Sequence, residues 1–195
     1  HHNIKPAHAT YVGGRELVIK AVADRDTGRL LGAQVIGPQG VDKRIDVLAT
    51  AISFGAQVGD LFHLDLAYSP PFATTKDPVH YTGMALDNAI TGRASLITPA
   101  ELDARLASGE PLQVVDVRSA SDFTTTHVPG AVNIPLAELR DRLGELDPDV
   151  PTVTYCNKGV SGNAGQNVLL RHGFKTVLNI SGGNSNYQTH LRQTQ

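Results

Sequence analysis

The apolar pattern of this chain changes period near residue 92, and that change does most to limit how it can fold. Before it, two strand-like runs, Glu16–Ala23 and Leu30–Ile36, lie on either side of Asp24-Arg25-Asp26-Thr27-Gly28-Arg29. The Asp and Gly residues of that connection suit a hairpin turn. Gly37-Pro38-Gln39-Gly40 breaks the second run, and Val41, Ile45, Leu48, Ala49 and Ile52 then recur at helical spacing. That spacing predicts an amphipathic helix over Val41–Phe54. Leu66-Ala67-Tyr68-Ser69-Pro70-Pro71-Phe72 cannot be helical through its two prolines. A helix returns after Pro78, within Thr74–Ala89. Residues 1–92 thus read as an α+β domain, an antiparallel sheet with helices.

After a linker at Thr91-Gly92-Arg93-Ala94-Ser95 the grammar is different. Thr98, Pro99 and Glu101 form the signature of a capped helix start, and that helix should run to about Ala107. Strand-like runs follow at Leu112–Arg118, Thr152–Tyr155 and Thr176–Ile180, with helical patterns at Leu136–Leu143 and from Asn163 to His172. Strands alternating with helices predict an α/β domain with a parallel sheet over residues 96–195. A length of 195 residues accommodates two small domains.

Composition excludes several classes. Hydrophobic content of 41%, charged content of 18% and a net charge of −2 are those of an ordinary globular protein. They give no reason to expect a nucleic-acid or membrane-surface partner. No apolar run approaches the roughly 20 residues of a membrane span, and no signal-peptide core is present, so a cytoplasmic location is expected. The histidines are scattered, without HExxH or paired Cys/His spacing, which predicts no metal site. The single cysteine, Cys156, excludes an internal disulfide and a two-cysteine redox pair within the chain.

Cys156 stands where chemistry is expected. It directly follows a buried strand and precedes Asn157-Lys158-Gly159-Val160-Ser161-Gly162, after which a helix begins near Asn163. In parallel sheets ligands bind beyond the carboxyl ends of the strands. The unpaired N–H groups opening a helix favour an anion there, a thiolate included. Lys158 adds positive charge, and Gly159 and Gly162 let several backbone amides turn inward. The alternative is a buried, inert cysteine, the common fate of a lone one.

Several motifs add to this reading. Asp116-Val117-Arg118, Asp122-Phe123, His127-Val128-Pro129-Gly130-Ala131-Val132-Asn133-Ile134-Pro135, the loop from Cys156 to Gly162, and Ile180-Ser181-Gly182-Gly183 together resemble the rhodanese family in order and spacing. The resemblance implies a sulfurtransferase in which Cys156 attacks a sulfane donor, holds a persulfide and passes sulfur to a thiol or cyanide. Loop amides would stabilise the charged sulfur, and Asp116 and Arg118 would brace the loop, unless they form only a surface ion pair. Many active members carry Arg five residues after the cysteine, where this chain has Ser161. Thiosulfate is therefore expected to be a poor donor, and persulfides or polysulfide better ones. Cysteine phosphatases that share this fold need Cys-x5-Arg to clamp phosphate, and that position is Gly162, so phosphatase activity is not expected.

The first domain shows neither a nucleophile nor a phosphate-binding glycine loop. Its cluster Asp42-Lys43-Arg44-Ile45-Asp46 reads as the solvated face of the helix. Tyr68, beside two prolines, reads either as a recognition residue or as a core tyrosine. His8-Ala9-Thr10-Tyr11, Gly28–Gln34, Gly40–Asp46, Leu66–Phe72 and Lys76-Asp77-Pro78-Val79 resemble the dimerisation domain of pyridine nucleotide-disulfide oxidoreductases, in particular the coenzyme A-disulfide reductase and NADH oxidase branch. Some members of that branch end in a rhodanese domain. The resemblance implies that this chain is the C-terminal part of a longer homodimeric enzyme using FAD, NAD(P)H and CoA. In it Tyr68, and also Tyr11, would approach the partner subunit's flavin and CoA site. By itself the chain is expected to hold no cofactor, and to meet only small sulfur donors and thiol acceptors.

Overall fold

The computed structural model describes residues 2–194, with side chains over residues 5–193. It divides into two compact units, His1–Arg93 and Ala94–Gln195.

In the first unit β1 (His2–Pro6), β2 (Glu16–Ala23) and β3 (Leu30–Ile36) form an antiparallel sheet in that order. The β2–β3 turn is held by Asp24, whose carboxylate accepts from the Asp26 and Thr27 amides and the Thr27 hydroxyl. Strand alternation sends Leu17, Ile19 and Ala21 of β2 inward. There they meet Leu48 of α1 (Val41–Ser53), Leu61 of α2 (Val58–His63) and Val79 and Leu86 of α3 (Pro78–Ile90).

Helix α1 corrects one expectation. Its buried side chains are Arg44 and Leu48, whereas Ala49, expected on the core face, is exposed. Arg44 is not solvated but 2% exposed. It pairs with Asp77 at 2.7 Å and donates to the carbonyls of Ala7, Gly40 and Phe72. Period alone could not show this, because a buried guanidinium is stable only where a carboxylate and carbonyls from distant segments converge on it.

The second unit holds five parallel strands in the order β4-β8-β7-β5-β6. They are β4 (Leu96–Ile97), β5 (Gln113–Asp116), β6 (Val132–Asn133), β7 (Thr152–Tyr155) and β8 (Val177–Ile180). All four residues of central β7 are buried. Each face of the sheet carries its own core. Val115 and Val177 pack with Leu169 of α6 (Val160–Arg171), whereas Val114, Val153 and Tyr155 pack with Leu102 of α4 (Pro99–Ser108) and Tyr187 of α7 (Gly183–Thr194). Short α5 (Ala120–Thr125) follows β5. The expected capping box at Thr98 and Glu101 is present.

Two helical expectations need correction. Leu136–Leu143 is not a helix but successive turns leading into a 3-10 turn at Leu143–Glu145. Bonds such as Glu138 N–H to Pro135 O and Asp141 N–H to Glu138 O span three residues, not four. Apolar residues at 136, 139 and 143 serve either geometry, so their spacing did not discriminate. Helix α6 starts at Val160, three residues before Asn163, because Gly159 caps it in the left-handed region, at φ 101°. Among the described residues no helix is long and apolar enough to cross a membrane.

Candidate active site

The carboxyl ends of three neighbouring strands, β8, β7 and β5, converge on Cys156, which is 8% exposed. The Gly159 N–H donates to its Sγ at 3.1 Å. Gly159 can present that amide because its positive φ is open to glycine at little steric cost. Gly162 is needed for a different reason. It is helical, and a side chain there would stand 2.3 Å from Asn179 Oδ1 and 3.0 Å from Tyr155 Cα.

Two helix N-termini hold the loop. Helix α6 opens beside the sulfur. At α7 the Asn184 and Ser185 amides donate to the carbonyls of Cys156 (2.8 Å) and Asn157 (3.0 Å). Amides left without partners inside α7 are thus satisfied by the loop itself.

Asp116 and Arg118 are not a surface pair. Asp116 is fully buried and Arg118 is 7% exposed. Both Asp116 oxygens accept from the guanidinium, the closest contact being 2.6 Å, and Oδ1 also accepts from the Arg118 amide. Arg118 donates onward to Asn157 Oδ1 at 3.0 Å and to Thr126 O at 2.6 Å. Burial disfavours the charged guanidinium, but the hydrogen bonds and charge of Asp116 outweigh it and hold the Arg118 pKa above its ordinary value. The pair therefore reaches the cysteine loop through Asn157.

The His127–Pro135 motif acquires a physical meaning here. Asn133 Nδ2 donates to the carbonyls of Asp116 and Arg118, each at 3.0 Å, fixing the end of β5. The Val128 amide donates to the Tyr155 hydroxyl at 3.1 Å, tying this segment to β7. Burial pushes the Tyr155 phenol well above its ordinary range, so it stays protonated. His127 stacks on Phe123, ring centroids 4.2 Å apart.

Of the remaining loop residues, Asn157, Lys158 and Val160 are exposed, Ser161 is half-buried in the first turn of α6, and Gly162 is buried. Sequence reasoning passed over Thr126, Asn179, Asn184 and Ser185. Asn179 alone left a signal, as a polar residue within an apolar strand run. Among the described residues no group of three His, Cys, Asp or Glu could hold a metal ion.

In the first unit Tyr11 and Tyr68 are 78% and 56% exposed, so Tyr68 is not a core residue. Their segments are joined by the Ala9 amide donating to Pro70 O at 3.0 Å, and Phe72 beside them is also exposed.

Residues 98–190, which hold this strand-end cysteine, the two helix N-termini and the buried Asp-x-Arg, match the family model of the rhodanese-like domain. Residues 3–78 match the dimerisation domain of pyridine nucleotide-disulphide oxidoreductases. The chain thus joins a reductase dimerisation domain to a rhodanese-like domain. It is similar to the reduced CoADR-RHD of Bacillus anthracis, with 37% identity and a TM-score of 0.89 over 98% of this chain and 34% of that one. A NAD-dependent persulfide reductase from A. fulgidus matches at 31% identity and a TM-score of 0.82, over 95% of this chain and 33% of that one. The CoA-dependent NAD(P)H sulfur oxidoreductase of Pyrococcus furiosus is 47% identical over 77 residues, 40% of this chain and 17% of that protein. The chain spans about a third of the length of these two solved relatives.

Proposed function

We propose that Cys156 carries sulfane sulfur as a persulfide, with residues 96–195 acting as the sulfurtransferase domain and residues 1–92 as the dimerisation domain of a longer reductase. The observation that carries this reading is the Gly159 N–H aimed at Cys156 Sγ, 3.1 Å away. A donor N–H at that atom can hydrogen-bond the attacking sulfur, and then the persulfide that replaces it.

In the first half-reaction the Cys156 thiolate attacks the outer sulfur of a donor R–S–SH. The donor S–S bond breaks, R–S⁻ leaves, and Cys156–S–SH forms. In the second, an acceptor thiolate attacks the outer sulfur of Cys156–S–SH. That S–S bond breaks, the acceptor leaves as a persulfide, and the Cys156 thiolate returns. Both steps conserve oxidation state, so neither needs a redox cofactor.

Replacement of Cys156 by alanine is expected to abolish sulfur transfer from a persulfide donor to a thiol, measured as acceptor persulfide formed. Iodoacetamide should label the wild-type cysteine rapidly at neutral pH. Full transfer by the alanine variant would remove the mechanism, and slow labelling would favour an inert binding module.

Donor choice follows from Ser161, which brings no cation to the loop. Thiosulfate, a dianion, should turn over at least tenfold more slowly than a persulfide, about 1.4 kcal/mol of transition-state stabilisation. Ser161→Arg should narrow that gap, and comparison of kcat/KM for both donors in the two proteins checks it. An unchanged ratio would count against the role given to position 161.

A second reading makes the reductase the principal activity and this chain its dimerisation and accessory part. The exposed Tyr11 and Tyr68 support it, together with the reductase names of the relatives. FAD, NAD(P)H and CoA would then be held by the longer homodimer, and these tyrosines would line the partner subunit's site. Neither hydroxyl has a hydrogen bond among the described residues, which suits a rim awaiting a ligand.

A further inference from the structure

We infer that Asn179 is a positioning residue for the cysteine loop, setting the direction of the amide that donates to the Cys156 sulfur. The inference rests on the sulfur-transfer reading only in giving that amide a task.

Asn179 lies on β8 and is 3% exposed. Its backbone has little freedom. The amide donates to Ser95 O at 2.9 Å, and the residue pairs with Leu96 of β4 on one side and Thr154 of β7 on the other. From this rigid base the side-chain Nδ2 donates to Gly159 O at 3.0 Å. The same carbonyl accepts from the Asn163 amide, closing the first turn of α6. Gly159, with φ 101°, is the residue whose own N–H points at Sγ. With its carbonyl held from below, the rotation of Gly159 is set, and so is the aim of its N–H.

A second observation shows that this side chain is retained against a local penalty. Asn179 Oδ1 is buried and has no hydrogen-bond partner. An unsatisfied buried acceptor is unfavourable, and Asn is a poor strand former. Valine or isoleucine would serve the strand better and leave no orphan oxygen, but could not donate to Gly159. The structure therefore keeps Asn179 for the donor on Nδ2.

Gln166 supplies a matched comparison. It is fully buried and ties α6 to carbonyls of Ser95 (2.9 Å) and Val177 (2.7 Å); it accepts from the Asn163 side chain at 3.1 Å but makes no bond to Gly159 itself. Its loss weakens the domain through the same kind of bond.

The test is the pH profile of Cys156 alkylation by iodoacetamide in the full chain. It is measured for wild type, Asn179→Leu, Asn179→Thr and Gln166→Leu, with thermal unfolding and persulfide transfer alongside. Asn179→Thr suits a strand and remains folded should the leucine variant not. Both Asn179 variants should displace the profile to higher pH and slow alkylation at pH 7 severalfold. Gln166→Leu should lower the unfolding temperature and leave the profile in place. Superimposed profiles for wild type and the Asn179 variants overturn the inference, as does an equal displacement in Gln166→Leu. A wild-type chain that alkylates readily but takes no sulfur from the persulfide donor overturns the sulfur-transfer reading instead. In that case the profiles still decide what Asn179 does.

Discussion

Asp116→Ala should destabilise the second unit by about 3–5 kcal/mol, the range for removing one partner of a buried ion pair. The reason is not the loss of one bond. Arg118 would remain 7% exposed, with its charge left to neutral partners, among them Asn157, Thr126 and the Tyr155 ring 5.6 Å away. Relaxation of Arg118 toward water would pull on Asn157, so sulfur transfer should fall even in molecules that stay folded. Asp116→Asn keeps the shape and one acceptor, and should lose less. Segment-resolved amide hydrogen exchange is the measurement, since a chain with two units need not unfold in one step. A loss of 3 kcal/mol is roughly a hundredfold in protection. It should be confined to residues 94–195. Unchanged protection there would mean that Arg118 finds other charge compensation.

A comparable loss, again about 3–5 kcal/mol, is expected in the first unit on Asp77→Ala. Asp77, 2% exposed, is the only carboxylate bonded to buried Arg44 among the described residues. It also accepts from the Val79 amide as the N-cap of α3, a role commonly worth about 1 kcal/mol. The two effects share one side chain and will not simply add. Arg44 links the carbonyls of Ala7 and Phe72, so its release should also loosen the segments carrying Tyr11 and Tyr68. Limited proteolysis between residues 66 and 76 should accelerate, while exchange in the second unit stays as in wild type. Equal cleavage rates in variant and wild type would show that those segments are held by other contacts.

These two pairs also show how differently the halves could be read in advance. Asp116 and Arg118 stand two residues apart at the end of an apolar run, inside an ordered series of motifs, so their pairing was accessible from the chain. Arg44 and Asp77 are 33 residues apart, and Arg44 sits in a charged cluster that any periodicity argument assigns to solvent. The same holds for Asn184 and Ser185, whose amides reach back to the cysteine loop from the start of the last helix. Nothing local marks them, because a backbone donor carries no side-chain signature.

Local patterning determined the alternation of strands and helices, the antiparallel hairpin around Asp24 and the strand-to-helix position of Cys156. Each follows from turn chemistry or from periods of 2 and 3.6 residues, which act over a few neighbours. Tertiary structure alone decided the strand order β4-β8-β7-β5-β6, and with it which strand ends lie beside the cysteine loop. It also decided that the Gly159 amide meets Sγ, that Arg44 is buried and that Leu136–Leu143 stays in turns. These outcomes depend on hydrogen-bond donors and acceptors meeting across tens of residues, and a buried polar group takes whichever partner the packing brings to it.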